Sequence, residues 1–178
     1  MTDVSDKRFL IISMDGFEKS ELMYPRSELL DAGAAVDVAS AEMGEIRSME
    51  DLEWSDSVSV DKTFDEVSAA DYDALIIPGG VPNPDKMRNN ETAVALVKAF
   101  RAAGKPIAAV CHAPWMLIEA DILRGRKATS YPTLRTDLAN AGAEVLDQEV
   151  VNDNDIITSR NPDDLPAFVN EIRRAVAA

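Results

Sequence analysis

The sequence predicts an α/β fold in which a mostly parallel central sheet carries helices on both faces. Three observations lead there. Short, continuously apolar runs at 8–14 (RFLIISM), 73–77 (DALII) and 107–110 (IAAV) are the mark of strands covered on both sides. Stretches with helical spacing, closed by glycine, lie between such runs. The chain also opens strand, helix, strand, which in one sheet means a parallel crossover.

Taken in order, the run at 8–14 is the first strand, and Asp15-Gly16 turns the chain. From Glu18 to about Ala32, Leu22, Met23, Leu29 and Leu30 recur at helical spacing until Gly33. Pro25 inside that span predicts a kink or a late start. Residues 35–39 (AVDVA) form the second strand. Residues 44–67 are polar and irregular, with traces of strand at 46–49 and 58–60, and read as an excursion at one sheet edge. The strand at 73–77 ends in Pro78-Gly79-Gly80, followed by a Pro- and Asn-rich loop over 81–90 and an amphipathic helix over 91–103. After the strand at 107–110, Pro114 opens a short helix to residue 120. A basic turn at 123–127, a brief strand at 128–131 and a helix over 134–141 follow. Strands at 144–151 and 156–159 flank a turn, and Pro162 opens a last helix to residue 175. No repeat or linker interrupts the 178 residues, so 1–178 reads as one domain.

Composition narrows the function classes. The chain has 32 acidic and 18 basic residues, a formal net charge of −14. Such a chain repels nucleic acid and anionic membrane, so neither is expected as a partner. The acids are spread along the whole sequence, which suits a protein adapted to high salt, where screening removes self-repulsion. One cysteine excludes an intrachain disulfide and fits a reducing compartment. With no signal-peptide pattern and no apolar run of spanning length, the expectation is a cytoplasmic protein. One Cys and one His are too few soft ligands for a metal site, and no cofactor is expected.

Those two residues, Cys111 and His112, are neighbours. They fall in a tight turn between the strand at 107–110 and the helix opening at Pro114. Such an elbow exposes a nucleophile at the sheet edge and points helix N–H groups at it. A helix N-terminus and an adjacent cation both favour thiolate, so Cys111 reads as an activated nucleophile. In open α/β sheets, ligands bind beyond the carboxyl ends of the strands. Parallel strands bring three strand ends together there: Glu18 after the first, Gly79 and Gly80 after the central one, and Cys111-His112. Glu18 then reads as a general acid and base against the sulfur, or as a plain helix-terminal acid. The amides of Gly79, Gly80 and His112 read as an oxyanion site.

Five motifs carry a resemblance over nearly the whole chain: DGFE at 15–18, YDALIIPGG at 72–80, AVCHAP at 109–114, GRKATSYPTLRTDLANAGAE at 125–144 and EVVNDNDIITSRNPDDLPAF at 149–168. The sequence resembles the ThiJ/PfpI superfamily, and within it the PfpI branch of intracellular proteases and glyoxalase- or deglycase-like enzymes. The resemblance implies a flavodoxin-like three-layer sandwich that forms dimers or larger homo-oligomers. It implies Cys111 as nucleophile with Glu18 as its protonated partner, and a third residue, an acid reaching His112 from a neighbouring subunit. Asp85, in VPNPDKMRNNE, stands at that acid's place, one methylene shorter than the usual Glu and in a loop one residue longer. The elbow also has Ala113 where many relatives have Gly, and Trp115 where Gln is common. Class I glutamine amidotransferases share the fold type but need a distant catalytic His, which this chain lacks.

The expected function is cysteine-dependent chemistry on small reactive carbonyls: conversion of methylglyoxal to lactate, or deglycation of early adducts on proteins. Hydrolysis of short peptides through an acyl-thioester is the alternative within enzymes. A redox-sensing stress protein or chaperone acting through oxidation of Cys111 is the alternative outside them.

Overall fold

The computed structural model describes residues 2–177. Its centre is β1 (Arg8–Ile12), whose side chains alternate between two cores: Phe9 and Ile11 face one, Leu10 and Ile12 the other. That alternation is why the run is apolar throughout. The two-residue β2 (Phe17–Glu18) leads into α1 (Lys19–Asp31), and β3 (Ala35–Ser40) returns parallel to β1. Next come β4 (Gly44–Glu50), β5 (Glu53–Val60) and the short β6 (Lys62–Thr63). The strand β7 (Ala74–Ile77) precedes α2 (Pro82–Met87) and α3 (Glu91–Ala102), and β8 (Ile107–Val110) runs into α4 (Pro114–Glu119). The chain finishes through β9 (Lys127–Ala128), α5 (Arg135–Asn140), β10 (Glu144–Val145), β11 (Val150–Asp153), β12 (Ile156–Ser159) and α6 (Leu165–Val176).

The main sheet has the order β11-β12-β8-β7-β1-β3-β6. All its neighbours are parallel except β11, which pairs antiparallel with β12. Phe100 of α3, Met116 and Leu117 of α4 and Leu138 of α5 cover one face. Leu22 and Leu29 of α1 with Phe168 and Ile172 of α6 cover the other. This is the three-layer, flavodoxin-like α/β sandwich the sequence predicts. The parallel register sets Ile11 beside Ile76, Ile76 beside Ala108 and Ala109 beside Thr158, so the carboxyl ends of these strands share one edge.

The structure departs from expectation in local places that bear on the site. Residues 44–60 form an antiparallel hairpin, β4–β5, whose register shifts between Arg47 and Met49 and which turns through Asp51 and Leu52 at φ 50° and 67°. Only Ile46, Ser48, Val58 and Val60 of it are buried, so its apolar signal is sparse. The segment after Gly80 is the helix α2 rather than a loop. Pro82 opens it with a preset φ, and Pro84 sits where no intrahelical N–H is needed. Asn83 of α2 is fully buried; its Nδ2 donates to the carbonyls of Pro78 (2.9 Å) and Gly79 (3.2 Å), and its Oδ1 accepts from Met14 N–H (2.7 Å). It therefore ties the end of β1 to the Pro78–Gly80 turn. The stretch 144–151 splits into β10, paired with β9, and β11 in the main sheet. In α1, which runs unbroken through Pro25, the buried face is Glu21, Leu22, Pro25 and Leu29. Met23 and Leu30, expected to be inward, are 37% and 42% exposed.

Candidate active site

The sheet edge where β1, β7 and β8 end carries the site. Val110 closes β8, and Cys111 follows at φ 63°. That left-handed conformation costs an L-residue with a Cβ about 1–2 kcal/mol. The surrounding chain enforces it: Cys111 N–H donates to Ser159 O of β12 (3.0 Å), and Tyr131 N–H donates to Cys111 O (2.9 Å). With both backbone groups held, the side chain is turned off the strand end into a pocket of about 660 Å³, where the thiol is only 6% exposed.

The carboxyl beside the sulfur is that of Glu21, not Glu18. Glu21 is fully buried within α1; its Oε2 accepts from Gly79 N–H (2.8 Å), its Oε1 has no hydrogen-bond partner among the described residues, and the carboxyl lies beside the Cys111 side chain, close enough for each to perturb the other's proton affinity. Burial pushes its pKa up to about 8, so at neutral pH the acid keeps its proton. Glu18 lies one turn earlier, in β2 opposite Met49 and at the N-cap of α1. It is half-buried at the pocket wall, its pKa raised by burial and by the nearby charges of Asp51 and Glu50. The geometric reason is register. Glu21 lies four residues before Pro25 and eight before Leu29, on the helix face turned to the core, whereas Glu18 precedes the helix. A carboxylate in the register of a buried stripe was the available signal.

The amides also divide differently from expectation. Gly79 N–H is committed to Glu21, while Gly80 N–H is shared between that carboxyl and the sulfur and His112 N–H faces the sulfur. Only those two remain for a developing oxyanion. Burial and the charge of an ionised Glu21 both push the Cys111 thiol up, and the two amides pull it down. Two buried anions in contact are mutually excluded, so thiol and carboxyl lose their protons as one coupled pair.

His112 is 8% exposed. Its Nδ1 lies 3.1 Å from Cys111 Sγ and its Nε2 3.3 Å from Thr133 Oγ1. The ring stacks on Tyr131 at 4.8 Å and meets the edge of Trp115 at 5.5 Å. Burial lowers its pKa, so it is neutral at pH 7 and does not supply the positive charge expected next to the thiol. Trp115 sits outside the pocket wall; its Nε1–H donates to Asp137 (2.9 Å) and Arg88 lies over its ring. Asp85 is on the exposed side of α2. Within one chain the structure brings it to neither Cys111 nor His112, and among the described residues no carboxylate hydrogen-bonds to the imidazole.

The pocket is lined by the buried Cys111, Glu21 and His112. Glu18, Met49 and Leu52 from β2 and the hairpin, Val81 and Pro82 after β7, and Tyr131 and Thr133 add to the lining. Among the described residues no Lys or Arg lines it. The hairpin tip thus reaches the site through Leu52, which a reading of residues 44–67 as irregular did not show. Among the described residues no group of three or more His, Cys, Asp or Glu side chains is placed to hold a metal ion. No helix among them is long and apolar enough to cross a membrane.

Comparison with known proteins agrees with the geometry. The family model described as DJ-1/PfpI family matches residues 7–175. Deglycase TK1284 of Thermococcus kodakarensis is 46% identical over 92% of this chain and 96% of its own length. Protein/nucleic acid deglycase 2 of Escherichia coli is 42% identical over 97% of this chain and 99% of its own. Among solved structures, a two-domain protein of Anabaena variabilis with DJ-1/ThiJ/PfpI-like and ferritin-like domains superposes with a TM-score of 0.89 at 39% identity; the match covers 93% of this chain and 47% of that longer one. The α/β sandwich, the strained cysteine elbow and these similarities converge, and the chain belongs to the DJ-1/PfpI family.

Proposed function

We propose that this protein is a cysteine-dependent enzyme acting on small reactive carbonyls and on the early adducts they form with proteins. The observation that supports this reading most is the left-handed Cys111 elbow with a fully buried carboxyl, Glu21, beside the sulfur, where burial keeps that acid protonated at neutral pH. A neutral acid beside the sulfur favours thiolate without adding a second charge, and it sits where a proton must be moved.

With methylglyoxal the steps balance as follows. The Cys111 thiolate adds to the aldehyde carbon, forming a C–S bond; the oxygen is held by the amides of Gly80 and His112 and takes the proton of Glu21. The Glu21 carboxylate then removes the hydrogen from that carbon, giving an enediolate. It returns the proton to the neighbouring carbon while the hydroxyl proton of the first carbon passes to the oxygen of the second, oxidising the first carbon and reducing the second. The product is a lactoyl thioester. Water then attacks the thioester and gives a proton to the Glu21 carboxylate, restoring the starting acid; the C–S bond breaks, and the thiolate and lactic acid, which ionises in solvent, are released with His112 neutral throughout. An early adduct on an amine enters the same sequence once the amine leaves with a proton, so glycated protein side chains and free aldehydes are one substrate class. Among the described residues no cation lines the pocket to hold a phosphate or carboxylate, which favours neutral dicarbonyls and adducts on basic side chains. The net charge of −14 argues against nucleic acid polymers as partners, although the Escherichia coli relative is named for them.

In this reading the enzyme works as a homo-oligomer, and Asp85 joins the site only from a neighbouring copy. The test is a panel of methylglyoxal, a methylglyoxal-modified arginine peptide and a fluorogenic short peptide, with Cys111→Ser as control. Lactate from the first two, with residual Cys111→Ser turnover below about a tenth, is expected. Cleavage of the short peptide alone would make it a peptidase, and oxidation of Cys111 by peroxide with no turnover of any substrate would make it a redox sensor.

A further inference from the structure

We propose that Thr133 is the positioning residue of His112. The residue sits on the single helical turn Pro132–Leu134, which follows the loop pinned to Cys111 through Tyr131 N–H. Its hydroxyl is 3.3 Å from Nε2, on the far side of the imidazole from the sulfur, which is 3.1 Å from Nδ1. The ring is held flat by Tyr131 and at its edge by Trp115, so its remaining freedom is rotation in its own plane and the choice of tautomer. Thr133 sets both.

The choice of a hydroxyl has a chemical consequence. A neutral imidazole carries one N–H and one lone pair. A carboxylate on Nε2 accepts only, which fixes the proton there and favours imidazolium. A hydroxyl both donates and accepts, so it serves either tautomer. When Nε2 carries the proton, Thr133 accepts it and Nδ1 takes the S–H proton. As Nδ1 gains that proton, the Nε2 proton passes to Thr133 Oγ1, whose own proton leaves to water in the pocket. The thiol is thereby deprotonated with His112 neutral before and after, which a buried ring requires. The charged and titratable groups around this ring are Cys111 with Glu21 behind it, Tyr131 on its face, Asp137 and Arg88 acting through Trp115, and Glu18 across the pocket. A neighbour's Asp85, in the reading above, would reach the ring from outside; Thr133 is the partner the chain carries in itself.

Cys111 is the sole thiol, so its alkylation by iodoacetamide reports on this network without any substrate. That separates failure of this proposal from failure of the proposed activity. Thr133→Val is expected to slow alkylation at pH 7 about tenfold and to move the midpoint of its pH profile upward. Thr133→Ser is expected to stay within about twofold of the parent, and Thr133→Val in a His112→Ala background to add nothing further. Thr133 is exposed, so these variants are expected to fold, which matched thermal melts verify. Unchanged alkylation in Thr133→Val, failure of the serine to restore it, or additivity with His112→Ala would overturn the proposal.

Discussion

Gly79 donates its backbone N–H to Glu21 Oε2 at 2.8 Å, joining residues 58 positions apart. The backbone comes that close because residue 79 has no side chain. A Cβ built at residue 79 lies 2.5 Å from Oε2, 2.8 Å from Cys111 Cβ and 2.8 Å from Val110 O. Two of those neighbours belong to the strained elbow and cannot retreat. Gly79→Ala is therefore expected to lower stability by about 1–3 kcal/mol and to remove most activity at temperatures where it is still folded. Urea unfolding beside a lactate assay checks it; an active, fully stable alanine variant would mean the elbow is softer than its contacts imply.

Exchanging the roles of two glutamates gives the sharpest activity test. Glu21→Gln is expected to lose at least about a hundredfold in kcat, the scale of a general acid–base. Glu18→Gln is expected to stay within about tenfold, because Glu18 walls the pocket without touching the sulfur. Steady-state kinetics on methylglyoxal for both variants decide it, and the reverse order would return the catalytic role to Glu18.

Glu21 also predicts a pH dependence of stability. Unfolded, its carboxyl titrates near 4.5; folded, near 8. Below 4.5 both states hold the proton and nothing changes. Between 4.5 and 8 the unfolded state binds fewer protons, so this group lowers stability as pH rises, by a few kcal/mol at most by pH 8. Glu21→Gln has no proton to lose. Its stability relative to the parent should climb from pH 4.5 to pH 8 and then level, measured as paired urea midpoints. A difference that stays flat across that window would show Glu21 ionising normally.

Much of this architecture is legible in the sequence because continuous apolar runs permit little else. The runs that became β1, β7 and β8 could only be strands buried on both faces, and Cys111 had to fall at a strand end. What was not legible depended on contacts distant in sequence. Glu21 reads as one more surface acid until Pro25 and Leu29 show which way α1 faces, and Met23 and Leu30 suggest the wrong face. Asn83 sits in a segment whose two prolines argue for a loop, yet its burial comes from β1 and the Pro78–Gly80 turn, far away in sequence. Thr133 carries no periodic signal; it reaches His112 because the chain after β9 is bonded to Cys111.

The charge of −14 on 178 residues predicts a response to salt. The ion pairs on the surface, such as half-buried Lys19 with the exposed Glu50 and Asp56, add little to stability because solvent screens them. Screening weakens these slightly, but it relieves the repulsion among the excess acids more. As the Debye length falls from about 10 Å at 0.1 M to about 3 Å at 1 M, Tm in potassium chloride is expected to rise by several degrees. Equal Tm in low and molar salt would remove the case for high-salt adaptation.

The last test concerns Asp85, which the structure places on the exposed side of α2 and away from its own His112. If it acts, it acts on a neighbour. Each active site then takes Cys111 from one chain and Asp85 from another. Cys111→Ser and Asp85→Ala, each expected to be inactive alone, are unfolded together and refolded. In a mixed pair one site collects both lesions, and the other receives an intact Cys111 and an intact Asp85. Random assembly of a symmetric oligomer should restore roughly a quarter of the parent activity. An acid acting within its own chain leaves one lesion in every site, so nothing returns. Full activity in Asp85→Ala by itself would dispense with the acid and leave Thr133 as the partner of His112.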